Sequence, residues 1–232
     1  MSKTLRLILG DQLNSKHSWF ITVDESVTYV MMEIRSETDY AAHHIQKIVG
    51  IFSAMQEFSN YLRCEKHQVI YIHLNDKNNC QSFQKNIQNL ISEHNFTHFE
   101  YQLPDEYRVD LDLKNLCKSI SITSSVVDSE HFFTTRNELG EFFEGKKIYL
   151  MESFYRAMRK KHNVLMEGDK PLTGQWNYDG DNRMKLPKSH KPISPLVFNN
   201  DVSKTLEEIK KTDIRTIGTI DAQNFVWSIN RE

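Results

Sequence analysis

Short apolar runs alternate along this chain with longer stretches whose apolar residues recur every three or four positions. The runs at 4–9 (TLRLIL), 27–32 (VTYVMM), 68–74 (QVIYIHL), 97–102 (THFEYQ) and 119–127 (SISITSSVV) are rich in β-branched and aromatic residues and read as strands. Helical spacing predicts helices at about 39–63, 81–94 and 106–117 between them. Strands alternating with helices imply βαβ units and right-handed crossovers, so the expected fold is α/β, a doubly wound five-stranded parallel sheet. Thr135 with Glu138 three places on reads as a capping box that opens a further helix, and another is expected at about 150–162. Four of the five prolines (Pro171, Pro187, Pro192 and Pro195) then fall close together and periodicity disappears, so 163–201 reads as an extended connector. A weak helix follows at about 201–211. The expected organisation is an α/β domain over residues 1–162, then a connector and terminal helix over 163–232.

Composition narrows the class. The chain has 232 residues, 39% of them hydrophobic and 11% aromatic, enough for a real core. The apolar run in "MSKTLRLILG" is too short for a signal peptide, and no stretch approaches the ~18 apolar residues of a membrane span. A cytoplasmic protein with no membrane partner is therefore expected. Cys64, Cys80 and Cys117 are widely spaced and form no C-x-x-C, so they read as free thiols rather than a disulfide framework or a metal cluster. Net charge is −2, but nine Lys/Arg stand against four Asp/Glu between Arg156 and Lys191, which leaves the rest of the chain at −7. Such asymmetry predicts a local anion contact rather than a coat for nucleic acid.

In open parallel sheets the ligand crevice lies beyond the carboxyl ends of the strands. There the sequence places Gly10, Asp11 and Gln12, then Glu33 and Glu37, then Asn75 and Asp76, then Asp105 and Glu106. Neither G-x-G-x-x-G nor G-x-x-x-x-G-K-[ST] occurs, so the glycine turn that brings backbone amides to a phosphate is missing. Carboxylates and amides suit an uncharged ligand that donates from hydroxyls and ring N–H groups. The bland alternative is that Asp11 caps a turn and the other acids are solvated.

The helix expected from Asp39 sharpens that choice. Ile45, Ile48, Phe52, Met55 and Leu62 form its core stripe, while Tyr40, His44, Lys47 and Ile51 form a second stripe along its flank that is able to cover a flat ring. His43 and His44 fall in its first turn, where the helix dipole favours the neutral imidazole.

Four segments, "LILGDQL", "E-x-x-Y-x-x-HH-x-x-KI" with "IFSAM" on the same helix, "MESFYRAMRKKHNVLM" and "GQWNYDGDNR", occur in order from Leu5 to about Pro195. On these the chain resembles the photolyase-related proteins of bacteria, the branch of the cryptochrome/photolyase family that includes the iron–sulfur (6-4) photolyases. The resemblance implies an N-terminal antenna domain holding 6,7-dimethyl-8-ribityllumazine, a chromophore with a ribityl chain and no phosphate, which passes excitation to FAD in a separate helical domain. Carried onto matching positions it implies Gly10, Asp11, Glu37, Tyr40, His44 and Ile51 as pocket residues. Asp76 and Glu106 are added from their crevice positions alone. FAD and a [4Fe–4S] cluster are expected only in the helical domain of a full-length relative, so residues 1–232 by themselves are not expected to repair DNA, and DNA is expected as a weak or indirect partner. The basic "YRAMRKK" helix is either a phosphate contact or a solvated face, and Trp176 either anchors the connector or faces a partner. Phe225 and Trp227 must pack either on the α/β body or on a further domain. Two other classes stay open, a nucleotide-binding regulatory module and an interaction domain without a ligand.

Overall fold

The computed structural model describes residues 3–231. Its elements in chain order are β1 (Thr4–Leu7), β2 (Val27–Met32), the short β3 (His43–His44), α1 (Ile45–Cys64), β4 (Gln68–Ile72), α2 (Phe83–His94), β5 (His98–Gln102), α3 (Tyr107–Ser119), β6 (Thr123–Val127), α4 (Glu138–Phe143), α5 (Met151–Lys161), the hairpin strands β7 (Met166–Glu167) and β8 (Lys170–Pro171), α6 (Ser203–Lys210) and β9 (Thr216–Ile217). The central sheet is all parallel in the order β4-β2-β1-β5-β6, which makes the fold α/β and doubly wound, as the alternating pattern predicts.

Period-two alternation assigns the two faces of the sheet. Leu5, Leu7, Val30, Met32 and Phe99 turn to one side, where α2 and α3 cover them with Ile87, Leu90, Leu113 and Leu116. Ile8, Tyr29 and Met31 turn to the other, against Ile48, Phe52, Met55 and Leu62 of α1. Arg6 also faces that second side. It is tolerable there because Glu100 accepts from its Nε at 2.7 Å and the guanidinium lies over the Trp19 ring at 4.9 Å.

The C-terminal segment returns to this core. Met1–Ser129 and Leu196–Glu232 form one compact unit and Glu130–Pro195 a second, so the compact division does not follow the expected boundary at residue 162. The reason is burial. Phe225 is 2% exposed against α1, its ring lying where a Cβ on Gly50 would come within 3.2 Å, and β9 adds in parallel to β3. Phe225 therefore packs on the α/β body. Trp227 stays mostly exposed but donates from Nε1 to Gln46 Oε1 at 3.0 Å.

That added strand also moves the start of α1. The helix begins at Ile45, not near Asp39, because the His43 and His44 backbones pair with β9 and His44 Nδ1 accepts from Gln46 N at 3.2 Å as the N-cap. Within the second unit, Trp176 packs on the cations of α5, at 5.3 Å from Arg156 and 5.4 Å from Arg159. Arg159 is 7% exposed and spends its donors on the carbonyls of Val164, Leu165 and Trp176, so it is a staple rather than a phosphate contact. Among the described residues no helix is long and apolar enough to cross a membrane.

Candidate functional site

Strand order reverses at β1, which has β2 on one side and β5 on the other, so the chains leaving β1 and β5 diverge and open a crevice at their carboxyl ends. A cavity of about 230 Å³ sits there. Its floor is apolar, with Ile8, Leu9, Met32, Ile34, Phe52 and Met55, and its rim carries Asp11, Glu37, Tyr40, His43, Lys47 and Glu106.

Gln12 holds the loop that forms one wall. It is 1% exposed, its Oε1 accepts from Leu9 N at 3.1 Å, and its Nε2 donates to the carbonyls of Gln102 and Leu103 at 3.3 and 3.4 Å. The amide after the first strand thus ties the β1 loop to the end of β5, and its neighbours Gly10 and Asp11 line the cavity. Gly10 serves close approach. A Cβ there would lie 3.0 Å from Ile51 Cγ2 and 3.1 Å from Met55 Sδ, so a larger residue would force those two side chains of α1 to shift.

Of the eight expected pocket residues, Gly10, Asp11, Glu37, Tyr40, Ile51 and Glu106 line this one cavity. His44 and Asp76 do not. His44 caps α1 and packs on the strap formed by β9 and the residues after it, where a Cβ on Gly218 would lie 1.8 Å from its Nε2; Gly218, at φ +79°, has both the room and the backbone freedom for that contact. Asp76 closes a turn, its Oδ2 accepting from His73 N at 2.7 Å, because the chain after β4 bends away from the switch point. Tyr40 lies ahead of α1 and not on it, so the flank stripe of Tyr40, His44, Lys47 and Ile51 does not exist as one helical row.

The cavity residue that the double histidine supplies is His43. Its ring meets Tyr40 edge to face at 4.7 Å, and Lys47 Nζ donates to its Nδ1 at 3.2 Å. Burial first, and Lys47 second, lower its pKa, so the imidazole is neutral near pH 7. With Nδ1 accepting, the proton sits on Nε2. That Nε2 is shielded from solvent and has no hydrogen-bond partner in the protein.

Arg108 is the other residue missed from sequence. Its Nη1 donates to Glu37 Oε1 at 2.9 Å, its Nε and Nη2 donate to the two oxygens of Glu106 at 2.8 and 3.1 Å, and its guanidinium lies 4.5 Å over the Tyr40 ring. Burial raises the Glu37 pKa, Arg108 pulls it back, and Glu106 and Asp11 push it up again; the net shift is upward. Burial opposes the Arg108 charge, but its two carboxylate partners outweigh that and raise its pKa. The signal was an Arg two places after Glu106 on the first turn of a helix. Its long reach to Glu37 is a tertiary fact that spacing does not contain.

The sequence model of a family described as deoxyribodipyrimidine photo-lyase-related protein matches residues 6–225. The chain belongs to that family. A (6-4) photolyase of Agrobacterium fabrum is 32% identical to this photolyase-related chain over 230 residues, which cover 98% of this chain and 45% of that protein. An uncharacterized protein of Acanthamoeba polyphaga mimivirus is 24% identical over 153 residues, 62% of this chain and 73% of that protein. The photolyase-related chain thus spans less than half the length of the first of these relatives.

Proposed function

We propose that residues of this photolyase-related chain bind 6,7-dimethyl-8-ribityllumazine in the switch-point cavity, as the light-harvesting part of a light-driven DNA repair or blue-light sensing protein. The observation that carries this reading is a cavity with an apolar floor and a rim of both acceptors and one unspent donor. Asp11 and Glu37 offer acceptors to ring N–H or ribityl hydroxyls, and the His43 Nε2–H offers a donor to a ring nitrogen or carbonyl. A burial-shielded donor without a partner costs free energy that a bound acceptor recovers. The residues present therefore fit a neutral heterocycle with a polyol chain. When bound, the lumazine supplies absorption of near-ultraviolet or blue light and passes excitation onward to a flavin.

The protein's own contribution is passive and geometric. Gly10 sets the gap between the β1 loop and α1, Ile51 and Met55 bound that gap, and Gln12 keeps the loop from relaxing into it. The cations at the rim do not turn it into a phosphate site. Arg108 is held by Glu37 and Glu106, and Lys47 donates to His43. DNA and a flavin-bearing helical domain remain partners proposed for the whole protein.

The test is direct titration of the purified chain with 6,7-dimethyl-8-ribityllumazine, followed by fluorescence anisotropy and a shift of the absorption band. Saturable binding with one site, not displaced by ATP or FMN, is expected. Displacement by ATP at comparable concentration would transfer support to the nucleotide-binding class, and absence of any binding to an interaction domain without a ligand.

A further inference from the structure

Beside the carboxyl end of the edge strand β4, in the same unit, a second cluster of ionisable side chains stands outside the cavity lining. Glu33 follows β2, His73 follows β4 and Glu208 lies on α6, and one ligand atom from each falls within 4.8 Å of the others. We propose that these three residues bind a divalent transition-metal ion, of the class for which zinc is the natural probe.

Glu33 is 1% exposed and is already oriented as a ligand. Tyr71 OH and Gln56 Nε2 donate to its Oε1 at 2.6 and 2.8 Å, and Leu74 N donates to its Oε2 at 2.9 Å, leaving Oε2 with lone-pair capacity to spare. Donors that fix a carboxylate from behind are the usual outer shell of a metal centre. His73 supplies the independent observation. Although its side chain is 41% exposed, its Nδ1 is shielded from solvent and has no hydrogen-bond partner, and Glu208 Oε2 is 4.0 Å away, too far for a hydrogen bond.

The donor set is chemically specific. One imidazole and two carboxylates suit zinc or a neighbouring first-row ion, whereas magnesium prefers six oxygens in a tight octahedron. Two donors each about 2.1 Å from one ion lie at most about 4.2 Å apart, so the widest pair must contract on binding. Rotation of the partly exposed His73 and Glu208 achieves this without disturbing buried Glu33. The Glu208 carbonyl already accepts from Asn75 Nδ2 at 2.8 Å, which keeps α6 beside the cluster before any ion arrives. Once bound, the ion joins the ends of β2 and β4 to α6 and so fastens the C-terminal segment to the sheet.

The full chain, stripped with EDTA, is titrated with zinc chloride against a chromophoric chelator, and its melting temperature is recorded in parallel. One equivalent of saturable binding and a rise in melting temperature are expected. Glu208→Gln and His73→Gln, both at partly exposed positions, should each weaken binding by about tenfold or more with unchanged far-UV circular dichroism. If one variant loses its native spectrum, the other decides. X-ray absorption at the zinc edge should show only nitrogen and oxygen neighbours. No saturable binding, equal binding by both folded variants, or a sulfur shell from the cysteines would each overturn the site.

Discussion

Replacing Arg108 by Met keeps most of the side-chain stem over Tyr40 but removes the charge that holds Glu37 and Glu106 together at the cavity rim. The cost follows from exposure. Arg108 and Glu37 keep 32% and 31% of their side-chain surface in water, so the loss lies between the ~1 kcal/mol of an exposed pair and the ~3–5 kcal/mol of breaking a buried one. About 2 kcal/mol is expected near neutral pH. Its pH dependence identifies the group responsible. Burial raises the folded-state pKa of Glu37, so its contribution to stability is fully present below the ordinary carboxylate range and is lost as pH rises through the raised value. Without Arg108 that value climbs further, and the penalty should shrink as pH falls from neutral through the raised value toward the ordinary carboxylate range. Urea unfolding followed by circular dichroism at both ends of this range measures the penalty directly, and Glu37→Gln in the Arg108→Met background should recover most of it. A penalty independent of pH, or no recovery in the double variant, would show that Glu37 is not the group Arg108 neutralises.

Three further outcomes test the surrounding architecture. Gln12→Ala strands the buried Leu9 N–H and removes the donor from the carbonyls of Gln102 and Leu103, so the urea midpoint should fall by the equivalent of about 1–3 kcal/mol. Phe225→Ala empties a site in the α1 core and should cost about 3–5 kcal/mol, with a single unfolding transition because 196–232 folds with the sheet. Ile51→Trp, at a position already 37% exposed, should fill the cavity and abolish lumazine binding in the anisotropy titration while shifting the melting temperature little; unchanged binding would place the ligand elsewhere.

The fold was legible because it depends on local signals. Each of the five sheet strands carries its β-branched or aromatic run, and the crossover rule then limits the topology to a doubly wound sheet. Strand ends drifted by a few residues where apolar positions continue past the ladder, as at Ile8 and Leu9, which leave the sheet to floor the cavity. The crevice residues on β1, β2 and β5 were legible for the same reason, since the switch point draws the ends of those strands together. Asp76 shares the strand-end position but follows an edge strand, and proximity to the switch point falls off across the sheet. What sequence could not contain was the partner of each polar group: Arg108 reaching Glu37 across 71 positions, or Gln46 meeting Trp227 across 181.

The two histidines show how far one such long-range contact propagates. Read as a helix, residue 44 falls in the flank row with Tyr40, Lys47 and Ile51, and residue 43 lies about 100° round the cylinder from it. In extended backbone, successive side chains point to opposite faces. Pairing with β9 imposes that second geometry, and it sends His43 to the cavity and His44 to Gly218 on the strap. The C-terminal segment therefore decides which imidazole faces the cavity. It follows that a deletion of residues 212–232 should alter the cavity, although none of those residues lines it.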